Sequence, residues 1–297
     1  MSCLVSVVLP THNRAELLPR AIDSVISQTY DHFELIIVDD GSTDKTADVV
    51  GRYEDPRVTL IRLAENQGAP GARNIGIRSS TGEFIAFLDS DDEWYPTKLE
   101  KQVNLIESAP ALVGAVGSGR EIRIDQDQGT TARFRIPRPD IGNIYRALLS
   151  GRAFPGTPFW PGGTPAIMFR AECLETVGLF DESLPAAQEH DLYIRFSEHY
   201  DFVAVAEPLV IIHFDAVSRI STDPSGQIEG KMKFLEKYSD RFPTFSVLKA
   251  NFSYHLGILL LLDGQTALGR KYLFQAVRSY PLSTRYWYHF FRAWTCF

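Results

Sequence analysis

Four short apolar segments near the start of the chain constrain its fold more than any other feature. Each is rich in branched residues, and segments with helical periodicity lie between them. The four segments are "LVSVVLP" (4–10), "ELIIVDD" (34–40), "VTLIRL" (58–63) and "EFIAFLD" (83–89). Strands that are apolar on both faces and alternate with helices are typical of a parallel sheet made of βαβ units. We therefore predict an α/β fold.

The rest of the chain changes character twice. Helical patterns cover residues 15–28, 43–53, 69–79 and 97–108. The segment 117–165 is rich in Gly, Pro and Arg, which favours loops and edge strands, and from about residue 228 the pattern becomes helical. These observations predict a Rossmann-like, mostly parallel central sheet flanked by helices, followed by a C-terminal helical extension.

Composition excludes some functions and favours one compartment. The formal net charge is −7 and the pI is about 5.5, whereas a nucleic-acid-binding surface is basic, so we expect no nucleic-acid partner. Three scattered cysteines indicate a reducing compartment. The opening apolar segment is too short for a signal peptide, and "LGILLLL" (256–262) is far below the roughly 20 residues of a membrane span. We expect a cytoplasmic protein.

Unusual polar residues follow each predicted strand. Because the carboxyl ends of parallel strands lie at one edge of a sheet, these residues are predicted to meet in one crevice, where open α/β sheets bind ligands. The residues are Pro10, Thr11 and Asn13 after the first strand, Asp39 and Asp40 after the second, Asn66 and Gly68 after the third, and Asp89, Ser90, Asp91 and Asp92 after the fourth.

The acidic cluster in "FLDSDD" predicts a divalent cation site. Mn²⁺ or Mg²⁺ takes carboxylate oxygens and completes its shell with substrate phosphates and water. Asp91 and Asp89 are the candidate ligands, and His213 is a third candidate. The alternatives are a solvated turn in which Asp92 caps the next element, and an ordinary core-edge role for His213.

Other residues of the crevice suit a nucleotide. An acid at the position of Asp39 commonly receives a ribose hydroxyl or a base edge. Arg73 follows the glycine-rich "ENQGAPG" and is a candidate phosphate ligand. The alternative for Thr11 and Asn13 is capping of the first helix, and for Asp40 it is a turn before Gly41.

The segment "QEHDLYIRF" (188–196) offers a general base. Asp191 lies four residues before Arg195, which predicts a helix salt bridge. Glu189 has no such partner and is the predicted base, with His190 and Asp191 as weaker candidates. Trp94 and Trp160 are candidates for stacking on a sugar ring, the alternative being packing, and we assign Gly163 to the same acceptor side.

Taken together, the motifs resemble the family 2 glycosyltransferases with a GT-A fold. The matching segments are "VSVVLPTHNR", "LIIVDDGSTDKT", "NQGAPGARNIGI", "GEFIAFLDSDDEW", "GLFDESL" and "EHDLYIR", in the family's order and spacing over about residues 5–196. The resemblance implies that Asp39 contacts the nucleotide base, that Asp89 and Asp91 form the Asp-x-Asp metal element, and that the base lies in a Glu-Asp pair. That pair is Gln188-Glu189 here, so a glutamate replaces the usual aspartate.

The resemblance implies a metal-dependent inverting enzyme. We expect hexosyl or N-acetylhexosaminyl transfer from a nucleotide-diphosphate sugar, with UDP-sugars favoured, to a glycan or lipid-linked acceptor in surface polysaccharide or glycolipid assembly. Residues 1–227 would form the GT-A domain, with a nucleotide-binding half (1–110) and an acceptor-binding half (111–227). The C-terminal helices (228–297) would pack on it, form a homodimer, or contact the inner face of the membrane peripherally. The alternatives are a sugar nucleotidyltransferase and a non-catalytic sugar-nucleotide-binding scaffold.

Overall fold

The four apolar segments form the four parallel strands that the sequence predicts. They are β1 (Val5–Thr11), β2 (Phe33–Asp39), β3 (Val58–Arg62) and β4 (Phe84–Phe87), hydrogen-bonded in the order β3-β2-β1-β4. The structure is a computed structural model that describes residues 3–126, 129–140, 142–144, 147, 162–214, 224–241 and 246–295. Every residue of β1 is buried, because helices cover both faces of this half of the sheet.

Helices follow these strands as predicted, although the first two are shorter than their sequence patterns. They are α1 (Leu18–Ile26), α2 (Thr46–Val50), α3 (Gly68–Arg78) and α4 (Lys98–Ser108). Helix α1 begins later than the pattern indicates because residues 15–17 form a turn, which closes when the amide of Leu18 donates to the carbonyl of Arg14 at 2.9 Å. The apolar side of α1 packs against β1 and β2 in one core.

The other half of the sheet mixes parallel and antiparallel strands. Its strands are β5 (Glu93–Trp94), β6 (Val113–Gln126), β7 (Gly129–Arg135), β8 (Met168–Arg170) and β9 (Asp201–Phe214). The order continues as β4-β8-β6-β9-β5, with β7 on β6. The prediction of loops and edge strands for 117–165 was wrong for residues 117–126. These residues continue β6, which pairs with β7, β8 and β9 and therefore lies inside the sheet.

Six helices complete the described part of the chain. They are α5 (Ala171–Val177), α6 (Gln188–Phe196), α7 (Pro224–Lys237), α8 (Ser246–Leu262), α9 (Thr266–Ser279) and α10 (Thr284–Thr295). Gly264, whose φ is +80°, forms the turn between α8 and α9. Within the described ranges, no helix combines the length and the apolarity that crossing a membrane requires.

Helices α7 and α8 pack on the sheet rather than forming a separate bundle. Phe234 and Phe252 stack with ring centroids 4.1 Å apart, and they belong to the same core as Phe169 and Phe202 of the sheet. The predicted boundary at 227/228 falls inside α7. Helices α9 and α10 pack on the outer side of α8 in a smaller cluster that includes Tyr254, Leu273 and Tyr286.

Asn74 of α3 joins the first four strands to the segment that leads into α6. It is buried, and its amide oxygen accepts from the backbone N–H of Phe180 at 3.0 Å. Its amide nitrogen donates to the Phe180 carbonyl at 2.9 Å and to Glu182 at 2.7 Å. A single side chain therefore satisfies both backbone groups of Phe180 and fixes the distance between two parts of the chain.

Asp191 fastens α6 to α7. Its fully buried carboxylate accepts from Arg195 at 2.9 Å, which confirms the predicted salt bridge, and from the Tyr238 hydroxyl at 2.9 Å. Lys237 lies 2.5 Å away on its other side. Arg195 also donates to the carbonyls of Val177 and Leu179. These contacts assign Asp191 a structural role.

We predict that Asn74→Ala lowers the free energy of unfolding by about 2–4 kcal/mol, because two buried backbone groups lose their partner. Urea denaturation followed by circular dichroism measures this change. The matched control is Asn104→Ala on the exposed side of α4, which should stay within about 0.5 kcal/mol of wild type. Equal effects of the two substitutions would contradict the role of Asn74.

We predict that Asp191→Asn lowers the free energy of unfolding by about 3 kcal/mol, because it removes one partner from a buried network of charges. Asp240→Asn, at an exposed site after α7, serves as the control and should change little. Thermal and urea unfolding of both variants would show this. An Asp191→Asn protein with wild-type stability would mean that Arg195 and Lys237 need no anion at this position.

Candidate active site

The carboxyl ends of β1 and β2 meet at one edge of the sheet, as predicted. Thr11 is the register partner of Asp39, and both are buried. One carboxylate oxygen of Asp39 accepts from the backbone N–H of Ser42 at 3.0 Å, and the other lies 3.6 Å from the Nε of Arg62. The Oγ1 of Thr11 is buried and has no hydrogen-bond partner among the described residues, so it is available to a ligand.

Asn13 shapes the loop after β2 instead of capping α1. It has a φ of +52°, a left-handed conformation that asparagine tolerates. Its side-chain oxygen accepts from the backbone N–H groups of Thr43 at 2.9 Å and Asp44 at 3.3 Å, and its own N–H donates to the Ser42 hydroxyl at 2.9 Å. Pro10, one residue before the end of β1, is buried and lies opposite Val38.

The segment after β3 is shaped by hydrogen bonds to short polar side chains. Asp40 accepts from the backbone N–H of Gln67 at 2.7 Å, so its side chain links the loop after β2 to the loop after β3. The side-chain oxygen of Asn66 accepts from the N–H of Gly68 at 3.0 Å. Gly68 has a φ of +79°, a conformation that favours glycine, and α3 begins there.

Arg73 supplies a positive partner for the acidic cluster. Its guanidinium lies 2.6 Å from a carboxylate oxygen of Asp89, and the Asp89 side chain remains 32% exposed. The N–H of Asp92 donates to the carbonyl of Asp89 at 3.0 Å and closes a tight turn, in which Ser90 and Asp92 are buried. Arg20 of α1 fixes the same turn by donating to the carbonyl of Asp91 at 2.6 Å.

The acidic cluster offers only part of a metal coordination shell. Asp89 and Asp91 contribute carboxylate oxygens, the ligand type that Mg²⁺ and Mn²⁺ prefer. No group of three or more His, Cys, Asp or Glu residues within the described ranges could hold a metal ion by itself. The donor set therefore fits an ion that takes its remaining ligands from a bound diphosphate. The Nε2 of His213, the third candidate ligand, lies 3.4 Å from a carboxylate oxygen of Glu93.

Glu189 lies in the first turn of α6, directly after a strained backbone position. Ala187 precedes the helix with a φ of +66°, a left-handed conformation that is unfavourable for alanine and characteristic of functional sites. The Oε2 of Glu189 accepts from both the hydroxyl of Thr164 at 3.0 Å and its backbone N–H at 3.2 Å. The Glu189 side chain is 31% exposed.

The surroundings of Glu189 favour its ionised form. Burial, the largest influence, would raise the pKa of Glu189, but His190, the hydrogen bonds from Thr164 and the charge of Arg120 together lower it below its usual value. A Cβ on Gly163 would lie 3.1 Å from the Arg120 guanidinium and 3.8 Å from Glu189. The absence of a side chain at Gly163 therefore lets both groups lie close to its backbone.

His190 is a poorer proton acceptor in this setting than an exposed histidine. Its Nδ1 lies 3.9 Å from Glu189, and its ring stands edge-on to Phe252. Burial lowers the pKa of His190, and the charges of Lys231 and Arg120 add to that effect against the opposing influence of Glu189.

A cavity of about 380 Å³ extends from Asp89, at the margin of the acidic cluster, to Glu189. Arg73 and Asp89 line one part and Thr164, Glu189 and His190 another. Helices α7 and α8 supply a further wall, formed by Gln227, Lys231, Asn251, Phe252 and His255. Sequence reasoning missed this wall, and also Arg120 and Thr164, because isolated polar residues on amphipathic helices and strands carry no recognisable pattern.

The wall contains two basic side chains whose pKa values are lowered. Burial lowers the pKa of Lys231, and Glu189 opposes that shift; the Nζ of Lys231 donates to Gln227 at 2.5 Å. Burial, with the nearby charges of Lys231 and Arg285, lowers the pKa of His255 to about 4, so this ring is neutral at pH 7.

The two aromatic candidates have different outcomes. Trp94 is 3% exposed, donates to the carbonyl of Pro165 at 3.0 Å and lies under the ammonium of Lys98 at 3.8 Å. These contacts favour the packing alternative for Trp94. Trp160 lies outside the described residues.

Related proteins share the sequence pattern. An uncharacterised glycosyltransferase of Rickettsia typhi is 33% identical over 203 residues, covering 66% of this chain and 59% of the relative. A protein of Escherichia coli K12, provisionally named a colanic acid biosynthesis glycosyl transferase, is 32% identical over 80% of this chain and 82% of its own length. An E. coli UDP-Glc:α-D-GlcNAc-diphosphoundecaprenol β-1,3-glucosyltransferase is 40% identical over 49% of this chain and 55% of its own.

Solved structures share the fold. S. aureus TarS 1–349 in complex with UDP-GlcNAc superposes with a TM-score of 0.65 at 17% identity, covering 93% of this chain and 81% of that one. The mannosyltransferase PcManGT of Pyrobaculum calidifontis, in complex with GDP-Man and Mn²⁺, gives a TM-score of 0.60 at 20% identity over 97% and 83%. The predicted GT-A fold is thereby confirmed.

The family assignment follows from the motifs, the sheet edge and the relatives together. Residues 6–171, more than half of the chain, match the model of the family described as Glycosyl transferase family 2. The chain belongs to glycosyltransferase family 2 and is a transferase enzyme.

Proposed function

We propose that the protein is a metal-dependent, inverting glycosyltransferase that moves a sugar from a nucleotide-diphosphate sugar, with UDP-sugars favoured, to a hydroxyl of a glycan or lipid-linked acceptor. The observation that carries this proposal is the cavity itself, which has Asp89 of the acidic cluster and Arg73 at one side and an ionised Glu189 at another. A transfer reaction needs a site for the leaving diphosphate and a proton acceptor across the sugar from it.

The edge formed by β1, β2 and α3 is the proposed nucleotide site. Thr11 offers an unpartnered hydroxyl and Asp39 a carboxylate whose second oxygen has only a long contact with Arg62. Asn13 and Gly68 hold the flanking loops in shape, and Ser90 lies buried at the adjoining turn. The complexes of TarS with UDP-GlcNAc and of PcManGT with GDP-Man support a nucleotide-sugar donor.

Asp91 and Asp89 are the residues that would hold Mn²⁺ or Mg²⁺. A bound divalent cation neutralises charge on a departing diphosphate, so no protein acid is required at the leaving group. Arg73, held by Asp89, places a second positive charge at the same end of the cavity. The Mn²⁺ in the PcManGT complex supports this assignment.

Glu189 is the proposed general base. The acceptor hydroxyl transfers its proton to the carboxylate of Glu189 while its oxygen bonds to the anomeric carbon and the bond to the diphosphate breaks. Attack from the side opposite the diphosphate inverts the configuration at that carbon. The two hydrogen bonds from Thr164 fix Oε2, so the remaining oxygen, Oε1, is the better placed to receive the proton.

The wall formed by α7 and α8 is the proposed acceptor side. Lys231, Asn251 and His255 bring a charge and hydrogen-bonding groups to the cavity beyond Glu189. The E. coli relative that is named for a diphosphoundecaprenol acceptor supports a lipid-linked acceptor, and the colanic acid relative supports a role in surface polysaccharide assembly.

Two other functions make different demands on the chain. A sugar nucleotidyltransferase would carry a glycine-rich basic loop directly after the first strand, where "PTHNRAELL" stands. A non-catalytic binder would retain donor affinity without needing an ionised carboxylate beside the sugar. The two hydrogen bonds from Thr164 that position Glu189 favour a catalytic function.

We predict that Glu189→Gln reduces kcat by about 100- to 10,000-fold, because the amide cannot accept the acceptor proton. Donor affinity should stay unchanged. Since the pKa of Glu189 is lowered, the wild-type base is ionised at neutral pH, and its contribution to the rate is lost only as the pH falls below the ordinary titration range of a glutamate. Transfer assays with a radiolabelled donor, beside calorimetric titration of UDP, separate the two quantities.

The control for Glu189 is Glu175→Gln at an exposed site on α5, which removes the same charge and should leave both quantities unchanged. Wild-type turnover in the Glu189→Gln protein would remove this residue from the mechanism.

We predict that Asp91→Ala weakens Mn²⁺-dependent binding of UDP by more than about 100-fold, because even outer partners of metal ligands contribute 10- to 100-fold. Calorimetry with and without Mn²⁺ measures this loss. Asp140→Ala, at a site with a 74% exposed side chain, is the matched control and should bind as wild type. Full affinity in the Asp91→Ala protein would contradict the metal assignment.

A further inference from the structure

The last helix leaves a large aromatic surface uncovered. We call this surface the aromatic face. Its members are the exposed side chains Phe274 of α9, Leu282 of the following turn, and Trp287, Tyr288, Phe291 and Trp294 of α10. Phe291 and Trp294 are each 61% exposed, and Leu282 is 82% exposed. Contiguous exposed groups of this size mark interaction surfaces in soluble proteins.

Packing of α10 does not account for these residues. The helix is held on its other side, where Tyr286 and Ala293 are buried and Tyr286 stacks on Tyr254 with ring centroids 4.8 Å apart. Trp287, Phe291 and Trp294 follow one another at spacings of four and three, so they form one stripe along the helix. Three aromatic side chains on one exposed stripe of a helix indicate that this stripe binds another surface.

Charge is distributed unevenly between this end of the chain and the rest. Residues 264–297 contain five of the 30 Lys and Arg residues and none of the 37 Asp and Glu residues. The first 263 residues therefore carry a formal charge of −12, and the last 34 carry +5. Arg285 and Arg292 lie seven residues apart on α10, and both are exposed. The covering surface is consequently expected to be negatively charged.

We propose that the aromatic face and its basic neighbours dock on the surface of a bilayer that contains anionic phospholipid. Tryptophan and tyrosine favour the headgroup region, where the ring is buried and its polar atom stays hydrated. Arg270 lies beside Trp294, with its guanidinium 4.4 Å from the ring centroid, and Arg285 and Arg292 lie on the flank of α10. These cations attract anionic headgroups, and the acidic body of the protein stays away from the surface. Helix α10 then lies in the plane of the membrane surface.

A second copy of the chain fits this surface less well. In a two-fold dimer the same patch contacts its own copy. Arg285 and Arg292 would then approach the arginines of the other copy, and residues 264–297 contain no acid that could pair with them. A head-to-tail contact with the acidic body would produce rings or open chains of molecules instead of a dimer. The observed distribution of charge therefore favours lipid as the occupant.

The experiment uses the full chain and sedimentation with sucrose-loaded vesicles. One set is pure phosphatidylcholine, and the other contains roughly one-third phosphatidylglycerol. We expect binding to the anionic vesicles and little to the neutral ones, with the bound fraction falling as salt is raised. Arg285→Gln/Arg292→Gln should weaken binding to anionic vesicles about 30-fold, and Phe291→Ser/Trp294→Ser should weaken it about tenfold or more.

The matched control is Arg133→Gln/Arg135→Gln, which removes two positive charges from exposed positions of β7 and should bind as wild type. Thermal unfolding of each variant verifies that the fold is intact. The salt dependence is measured on the wild-type protein, so that test remains valid even if a variant does not fold. Three results would each overturn the proposal: no sedimentation with anionic vesicles, equal sedimentation with both vesicle types, or a wild-type dimer that the aromatic substitutions dissociate without any change in vesicle binding.

Discussion

Everything at the candidate site depends on the parallel pairing of β1 with β2 and β4. Parallel strands bring their carboxyl ends to one edge, so residues separated by up to 80 positions in sequence become neighbours without any side chain directing them. The ion pair between Arg73 and Asp89 depends on that arrangement, because α3 and the turn after β4 meet only at this edge. Because of the same parallel pairing, the polar residues lie together at the carboxyl ends of the strands, and the buried apolar strands hold them in place.

The chemistry lies where this edge meets a second set of elements. Asn74 fixes the segment before α6, Asp191 fixes α6 to α7, and Glu189 lies between them at the cavity. The structural acid Asp191 and the proposed base Glu189 are therefore only two residues apart on one helix, but they face different surroundings. Asp191 is enclosed by cations and a tyrosine, while Glu189 keeps an exposed portion and hydrogen bonds that hold it ionised.

Sequence patterns predicted the first half of the fold well because strands buried on both faces have a distinctive composition. They also predicted which polar residues would lie at the edge, since topology alone decides that. They could not show that Arg73 already pairs with Asp89, because that contact depends on side-chain packing. The wall that contains Lys231 and His255 was also not predictable, since a helix exposes polar residues for many reasons and only tertiary packing brought these two to the cavity.

In the proposed mechanism, the donor binds at the acidic cluster and the acceptor beside Glu189, at the two ends of one cavity. A crystal structure of the protein with UDP-sugar and Mn²⁺ tests it most directly, because Mn²⁺ is identified by its anomalous scattering. We predict Mn²⁺ bound to a carboxylate oxygen of Asp91 and to the diphosphate, with the base near Asp39 and the anomeric carbon facing Glu189. A nucleotide bound elsewhere, or a sugar turned away from Glu189, would contradict the account.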